Sequence, residues 1–274
     1  MNDMKRARIF FFTALSIFAL HIQTATASQP EPLTIGADSS LEVAFKELLP
    51  LFEHEYGQPV QVVYGPSKWL RSAIVKGRAI DVLITSTKEL RLLQQANLLS
   101  NQPQFIAETS LVLVSSEILP TFYSSFREML DDRHVKIAVA DSRFSSLGEL
   151  TSQLLMMPRS AKRASLVYTR DGKDISKFLR LGKADVGIMY RADAINRGAH
   201  ILEEFTPAFN DRIGAGITTT AKKSLQSVAK AFVDFMSSTR VQMILAKYGY
   251  EPFSPIKHAA HRQSSSPQLH SADF

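Results

Sequence analysis

A chain of 274 residues with no cysteine can carry neither a disulfide framework nor a thiolate metal site. Its formal charge of +6 is spread without a basic run, so nucleic acid is not an implied partner. The length allows two lobes, each with its own core.

The first 27 residues read as a segment apart from the fold. Lys5, Arg6 and Arg8 precede an apolar run from Ile9 to Leu20, and Ala25-Thr26-Ala27 supplies a small-residue cleavage site. That order marks a secretory signal peptide. As a helix the apolar run spans only about 18 Å, short of the ~30 Å hydrocarbon core, so a membrane anchor fits less well. Three basic residues and one acid (Asp3) leave with this segment, and the remaining chain has a net charge of +4. The protein is expected in the periplasm, as a monomer.

Leu33 to Ala37 reads as the first strand, Asp38-Ser39-Ser40 as a turn, and Leu41 to about Tyr56 as a helix closed by Gly57. Leu41, Ala44, Phe45, Leu48, Leu49 and Phe52 give that helix one apolar face. Ser39 with Glu42 has capping-box spacing. Val60–Tyr64 is a second strand, Gly65-Pro66-Ser67 a turn, and Lys68–Lys76 a second helix closed by Gly77. Asp81–Thr85 and Lys88–Ala96 continue the rhythm as strand and helix, which predicts a parallel sheet with right-handed crossovers. Thr109–Ser115 reads as a strand passing into a second lobe. That lobe takes a helix near Phe122–Leu130, strand Val135–Ala140, helix Leu147–Met156, strand Leu166–Tyr168, helix Lys173–Leu181, strand Val186–Tyr190 and a strand near His200–Phe205. Arg212–Thr220 returns the chain to the first lobe, where helices Lys222–Met236 and Thr239–Lys247 pack. The expected division is residues 28–110 with 210–256 for lobe 1, 111–209 for lobe 2, and a disordered tail from 257 to 274.

Ordered along the chain, the segments IGADSSL (35–41), GPSKWLRSAIVKGRAIDVLITS (65–86), LRLLQQANLL (90–99), TSLVLVSS (109–116), KIAVAD (136–141), LGKADVGIMYRADA (181–194) and FVDFMSSTRVQMILAKYGYEPF (232–253) resemble the molybdate-binding proteins of bacterial ABC importers. The resemblance implies an α/β, two-lobed type II periplasmic-binding-protein fold, each lobe a mainly parallel sheet flanked by helices, with the ligand between the lobes. It implies a tetrahedral oxyanion, molybdate or tungstate, held by neutral donors and delivered to an ABC permease in the inner membrane, with no cofactor and no protein-ligated metal. Carried over residue by residue, the ligand would meet the hydroxyls of Ser40, Ser67 and Tyr190 and backbone donors near Leu147 and Gly172. Asp38, Ser39, Lys68, Gly148, Arg170 and Asp171 would stand nearby.

The residues support this chemistry independently. A dianion taken out of water needs its charge met, and helix starts supply unpaired N–H groups with a partial positive charge of roughly half a unit. Ser40 and Ser67 stand at two such starts, and each hydroxyl bond to a charged acceptor contributes about 1.5–3 kcal/mol. Tyr190 ends a strand where parallel sheets open their crevice. Plainer readings exist: Ser39, Ser40 and Ser67 as helix caps, Tyr190 as a plug, and Lys68, Arg143, Arg170 and Lys173 as solvated surface. Asp81 reads as a structural hydrogen-bonding residue, Phe232 and Phe235 as core, and His258 and His261 as part of the tail. A serine-nucleophile reading of Ser67 fails because Trp69 stands where the elbow needs glycine, and no acid/base pair or metal spacing suggests an enzyme. Asp38 departs from the small apolar residue usual in the family and would repel an anion unless turned away or paired. Leu147 and the Thr169–Lys173 segment depart as well. Another oxyanion, a small organic acid reached through Asp38 and Arg170, or a ligand-sensing role are the alternatives.

Overall fold

The computed structural model describes residues 30–115, 123, 125–157, 163–205 and 207–252. The expected signal peptide and C-terminal tail lie outside the described residues.

In chain order the elements are β1 (Leu33–Asp38), α1 (Glu42–Tyr56), β2 (Val60–Gly65), α2 (Ser67–Val75), β3 (Val82–Ser86), α3 (Thr87–Gln95), β4 (Gln104–Thr109) and β5 (Leu111–Ser115). Then come α4 (Phe126–Asp131), β6 (Lys136–Ala140), α5 (Ser146–Met156), β7 (Ser165–Thr169), α6 (Gly172–Arg180), β8 (Val186–Tyr190) and α7 (Arg191–Asn196). β9 (His200–Glu204), β10 (Asp211–Ile217), α8 (Gln226–Met236), α9 (Thr239–Lys247) and β11 (Glu251–Pro252) complete the described chain. The strands form two sheets, one ordered β11-β4-β10-β3-β1-β2 and the other β7-β6-β8-β5-β9. Each sheet has a parallel βαβ centre, β2-β1-β3 in the first lobe and β7-β6-β8 in the second. Antiparallel strands are added by the segments that cross between lobes, β10 against β3 and β4, and β5 against β8 and β9.

The first lobe's core follows from the apolar face of α1. Ala44, Phe45, Leu48 and Phe52 are buried against β1 and the C-terminal helices. Phe52 meets Phe232 edge-on with ring centroids 4.8 Å apart, and Phe235 at 5.4 Å, so the two phenylalanines of α8 are core residues as their spacing suggests. Each buried aromatic contributes about 1.5–3 kcal/mol through area removed from water. Gly57, at φ 62°, closes α1 in the left-handed region that favours glycine. Asp81 accepts from the Thr34 N–H at 2.8 Å and the Lys222 N–H at 3.1 Å, tying β1 to the returning chain. A separate core fills the second sheet around Val112, Ile137, Ile188 and Met189.

Two local expectations are corrected, and one helix is added. The Ser39–Glu42 capping box does not form. β1 runs on to Asp38, whose carboxylate caps a single 3-10 turn (Ser39–Leu41) through the Ser40 N–H at 3.1 Å, so Ser39 lies inside the turn. The strand read as Thr109–Ser115 is two strands in different sheets: β4 ends at Thr109, β5 begins at Leu111, and Ser110 is the switch. No glycine or proline marks that switch. The six-residue α7 follows Tyr190 directly, without the turn signal expected before a helix.

Candidate functional site

The carboxyl ends of the parallel strands lead into the turns after β1, β2, β6 and β7, the arrangement that places a ligand crevice beside helix starts. Ser67 is the first residue of α2. Its Oγ accepts from the Ser146 N–H at 2.7 Å and lies 3.0 Å from the Ser146 hydroxyl, which bridges the two lobes at two helix starts. Pro66 at the cap position offers no side-chain acceptor, so Ser67 is free to face across the junction. The sequence pointed to Leu147 in the second lobe; the residue that meets Ser67 is Ser146. Leu147 lies one position on, in the first turn of α5, where N–H groups have no intrahelical acceptor. The Gly148 N–H is taken by the Ser145 hydroxyl at 3.1 Å. Gly148 must be glycine because an added Cβ would come 2.4 Å from the Asp141 backbone.

The other proposed donors face carboxyl groups of the chain itself. Tyr190, at the end of the fully buried β8, donates its hydroxyl to Asp211 Oδ2 at 2.5 Å, and Ser86 donates to Asp211 Oδ1 at 2.7 Å. The Tyr250 hydroxyl donates to Ser40 Oγ at 2.9 Å. Gly172 opens α6 so close to Asp193 that a Cβ would stand 2.2 Å from its Oδ2. Asp171 caps the same helix through the Asp174 N–H at 3.1 Å and so points back into its own turn.

Burial governs the electrostatics here. Desolvation pushes the Asp38 carboxyl up to about 7 against the opposing Ser40 N–H, and the charges of Asp193 and Asp211 raise it further. Asp193 is pushed up to about 6 by burial, with Arg197 at 3.1 Å opposing the shift. Asp211 is raised by burial and partly restored by the Tyr190 and Ser86 hydroxyls. Burial likewise lifts Tyr190 and Tyr250 well above the ordinary phenol range, so both hydroxyls remain donors. Among the described residues, no group of three or more His, Asp or Glu is placed to hold a metal ion.

At the rim every cation named from the sequence is paired. Lys68 donates to the Ser142 carbonyl at 2.9 Å and pairs with Glu149 at 2.9 Å, across the junction. Lys173 pairs with Glu42 of the first lobe at 2.9 Å, Arg170 with Asp174 at 3.3 Å, and Arg143 with Asp141 at 2.6 Å. The Lys68 N–H also donates to the Phe144 carbonyl at 3.1 Å. With the Ser67–Ser146 contact, the bonds of Lys68 and the Lys173–Glu42 pair cross between the lobes. Cavities at the junction include two of about 400 Å³ each among the described residues. One is lined by residues including Ser86, Lys88, Arg91, Ser146 and Arg212, the other by residues including Ser39, Tyr64, Trp69, Phe144 and Arg170.

Residues 33–251 match the family model described as bacterial extracellular solute-binding protein. The chain belongs to this family. A curated relative, the putative ABC transporter substrate-binding lipoprotein YvgL of Bacillus subtilis (strain 168), is 20% identical over 250 residues, covering 88% of this chain and 96% of the relative. Among solved structures, the periplasmic molybdate-binding protein of Azotobacter vinelandii superposes with a TM-score of 0.68 at 19% identity, over 81% of this chain and 100% of that one. The sulfate-binding protein SubI of Mycobacterium tuberculosis H37Rv gives 0.68 at 16% identity, over 86% and 92%. At such identities these superpositions speak to the fold.

In this solute-binding protein the fold brings Ser67 to the second lobe, and it surrounds Ser40, Tyr190 and Gly172 with Asp38, Asp211 and Asp193. Sequence reasoning missed Ser86, Ser146, Asp193, Asp211 and Tyr250. Ser146 was within reach, one residue from the position chosen. Asp211 lies 21 residues from Tyr190, and Tyr250 lies 210 from Ser40, with no local signal joining either pair.

Proposed function

We propose that the protein is the extracytoplasmic binding component of an ABC importer, that it captures a tetrahedral oxyanion between its lobes, and that it presents the ligand to a membrane permease. Molybdate and tungstate are the bare oxyanions that the family resemblance supplies. The observation that carries this reading is the meeting of Ser67 with the Ser146 N–H across the junction at 2.7 Å. Two helix starts face each other there, and the Ser67 oxygen takes the acceptor position that an oxyanion oxygen would fill. Shared contacts from both lobes let a ligand shift the open–closed balance toward the shut state. No bond is made or broken in this role.

Thermal unfolding in the presence of molybdate, tungstate, sulfate and phosphate tests the reading. An anion at a hundredfold over its dissociation constant should add about 2.7 kcal/mol of stability. A melting curve unmoved by all four, and by substituted oxyanions as well, removes the oxyanion from this site.

A further inference from the structure

The cavity between Trp69 and Phe144 is larger and more aromatic than a bare ion can use. Ser39, Gly65, Pro66 and Asp171 line it, so the turns leading to Ser40, Ser67 and Gly172 all open into this one space. Its volume of about 400 Å³ falls within the roughly 300–1,000 Å³ of organic-ligand pockets. At about 30 Å³ per water it holds on the order of ten waters, against the four oxygens of a tetrahedral ion.

The walls come from both lobes. Trp69 projects from α2, with its indole lying on Gly65, where an added Cβ would come 2.6 Å from the ring. Phe144 stands just before α5 and is brought beside α2 by the bond from the Lys68 N–H to its carbonyl at 3.1 Å. Both rings remain partly exposed, 41% for Trp69 and 39% for Phe144, although each lines a cavity in the shut form. Tyr64 adds a third ring. The charged lining is satisfied within itself: Lys173 by Glu42, Arg170 by Asp174, and Asp171 by the α6 N–H group it caps. Neither cation of the lining, Lys173 or Arg170, is left unpaired, and the guanidiniums of Arg78 and Arg143 lie over the Trp69 and Phe144 rings at 5.4 and 5.5 Å.

We infer that the ligand is a substituted oxyanion, a phosphonate or phosphate monoester, whose uncharged aromatic or apolar body fills the space between Trp69 and Phe144. The inference rests on the oxyanion reading of the same cleft and names the class of ligand it takes. The head group meets the helix starts, and the body touches both lobes only when they are shut, which adds to the closing force. Flat carbon bodies suit these walls because aromatic pairs stack or meet edge-on.

Titration calorimetry of the purified protein with phenylphosphonate, inorganic phosphate and molybdate tests this. Phenylphosphonate is expected to bind about tenfold or more tighter than either inorganic ion. Trp69→Ala and Phe144→Ala should each remove most of that preference while leaving any inorganic-anion affinity in place, with melting temperature confirming that the variants fold. Molybdate or phosphate binding as tightly as phenylphosphonate, or a preference that survives both substitutions, overturns the inference and leaves the oxyanion reading standing. Absence of binding by all three ligands overturns the inference, and absence of tungstate and sulfate binding as well takes both readings away.

Discussion

Two parts of the lobe junction, built from the same residue types, behave differently. At the Ser67–Ser146 contact, hydroxyls and N–H groups meet with no carboxyl among their hydrogen-bond partners, and both residues begin helices. At the Tyr190–Asp211 contact, and in the Tyr250–Ser40–Asp38 turn, hydroxyls stand against buried carboxyl groups. A hydroxyl at a strand end is therefore a donor whose acceptor is chosen by whatever the fold packs beside it. On the oxyanion reading proposed above, the first region offers an anion donors with no carboxyl beside them. The second accepts an anion to the extent that its carboxyl groups are neutral, which burial promotes.

Removing the acceptor of the acidic region should have the largest effect. Asp211→Ala strands the Tyr190 and Ser86 hydroxyls, and urea unfolding should show a loss of about 2–4 kcal/mol. Unchanged stability would mean those hydroxyls find other partners.

The pH dependence of the acidic region comes next. Asp38 and Asp193 have folded values of about 7 and about 6, above the ordinary carboxyl range. The folded state therefore binds more protons than the unfolded one between about pH 4 and 7. The stability from these neutral carboxyls is complete below that window and is lost as pH rises through the folded values. The charges of Asp193 and Asp211 act on Asp38, the charge of Asp38 acts on Tyr190 and Tyr250, and Arg197 opposes the shift of Asp193. Asp38→Asn should gain on the parent protein by about 2–3 kcal/mol between pH 5 and 7.5 in parallel denaturation series. Anion affinity of the parent should fall over the same range. Identical pH profiles for parent and variant would place the titration elsewhere.

In the uncharged region, Ser67→Ala should weaken anion binding by about 1–2 kcal/mol and leave folding nearly intact, as read by calorimetry and melting temperature. An affinity equal to the parent's would remove Ser67 from the ligand's contacts. The smallest effect is expected at the rim. Lys173→Ala breaks the exposed pair with Glu42, and stability should change by less than about 1 kcal/mol, a difference that fades in high salt. A larger, salt-insensitive loss would make that pair a structural tie between the lobes.

Much of the fold was legible in local pattern. The apolar face from Ala44 to Phe52, the closing Gly57, and the buried run from Val186 to Tyr190 state their conformations within a few residues. β4 was not legible, because it abuts β5 with only Ser110 between them and no breaker residue. At the site, Ser67 could be read because a helix start is a local feature. The partners of Ser40 and Tyr190 could not, since Tyr250 and Asp211 reach them through the packing of distant strands.

By itself, the sequence determined the succession of strands and helices, the glycines at turns and the hydroxyls at helix starts, all set by interactions spanning a few residues. Only the tertiary structure decided that the strands at 104–109 and 211–217 pair antiparallel with each other, and that the second of them also pairs with β3. It also decided that three carboxyls crowd the tyrosine end of the junction, and that Trp69 and Phe144 close a cavity from opposite lobes. Those outcomes depend on long-range packing and on the desolvation that packing imposes, and no stretch of chain carries either before it folds.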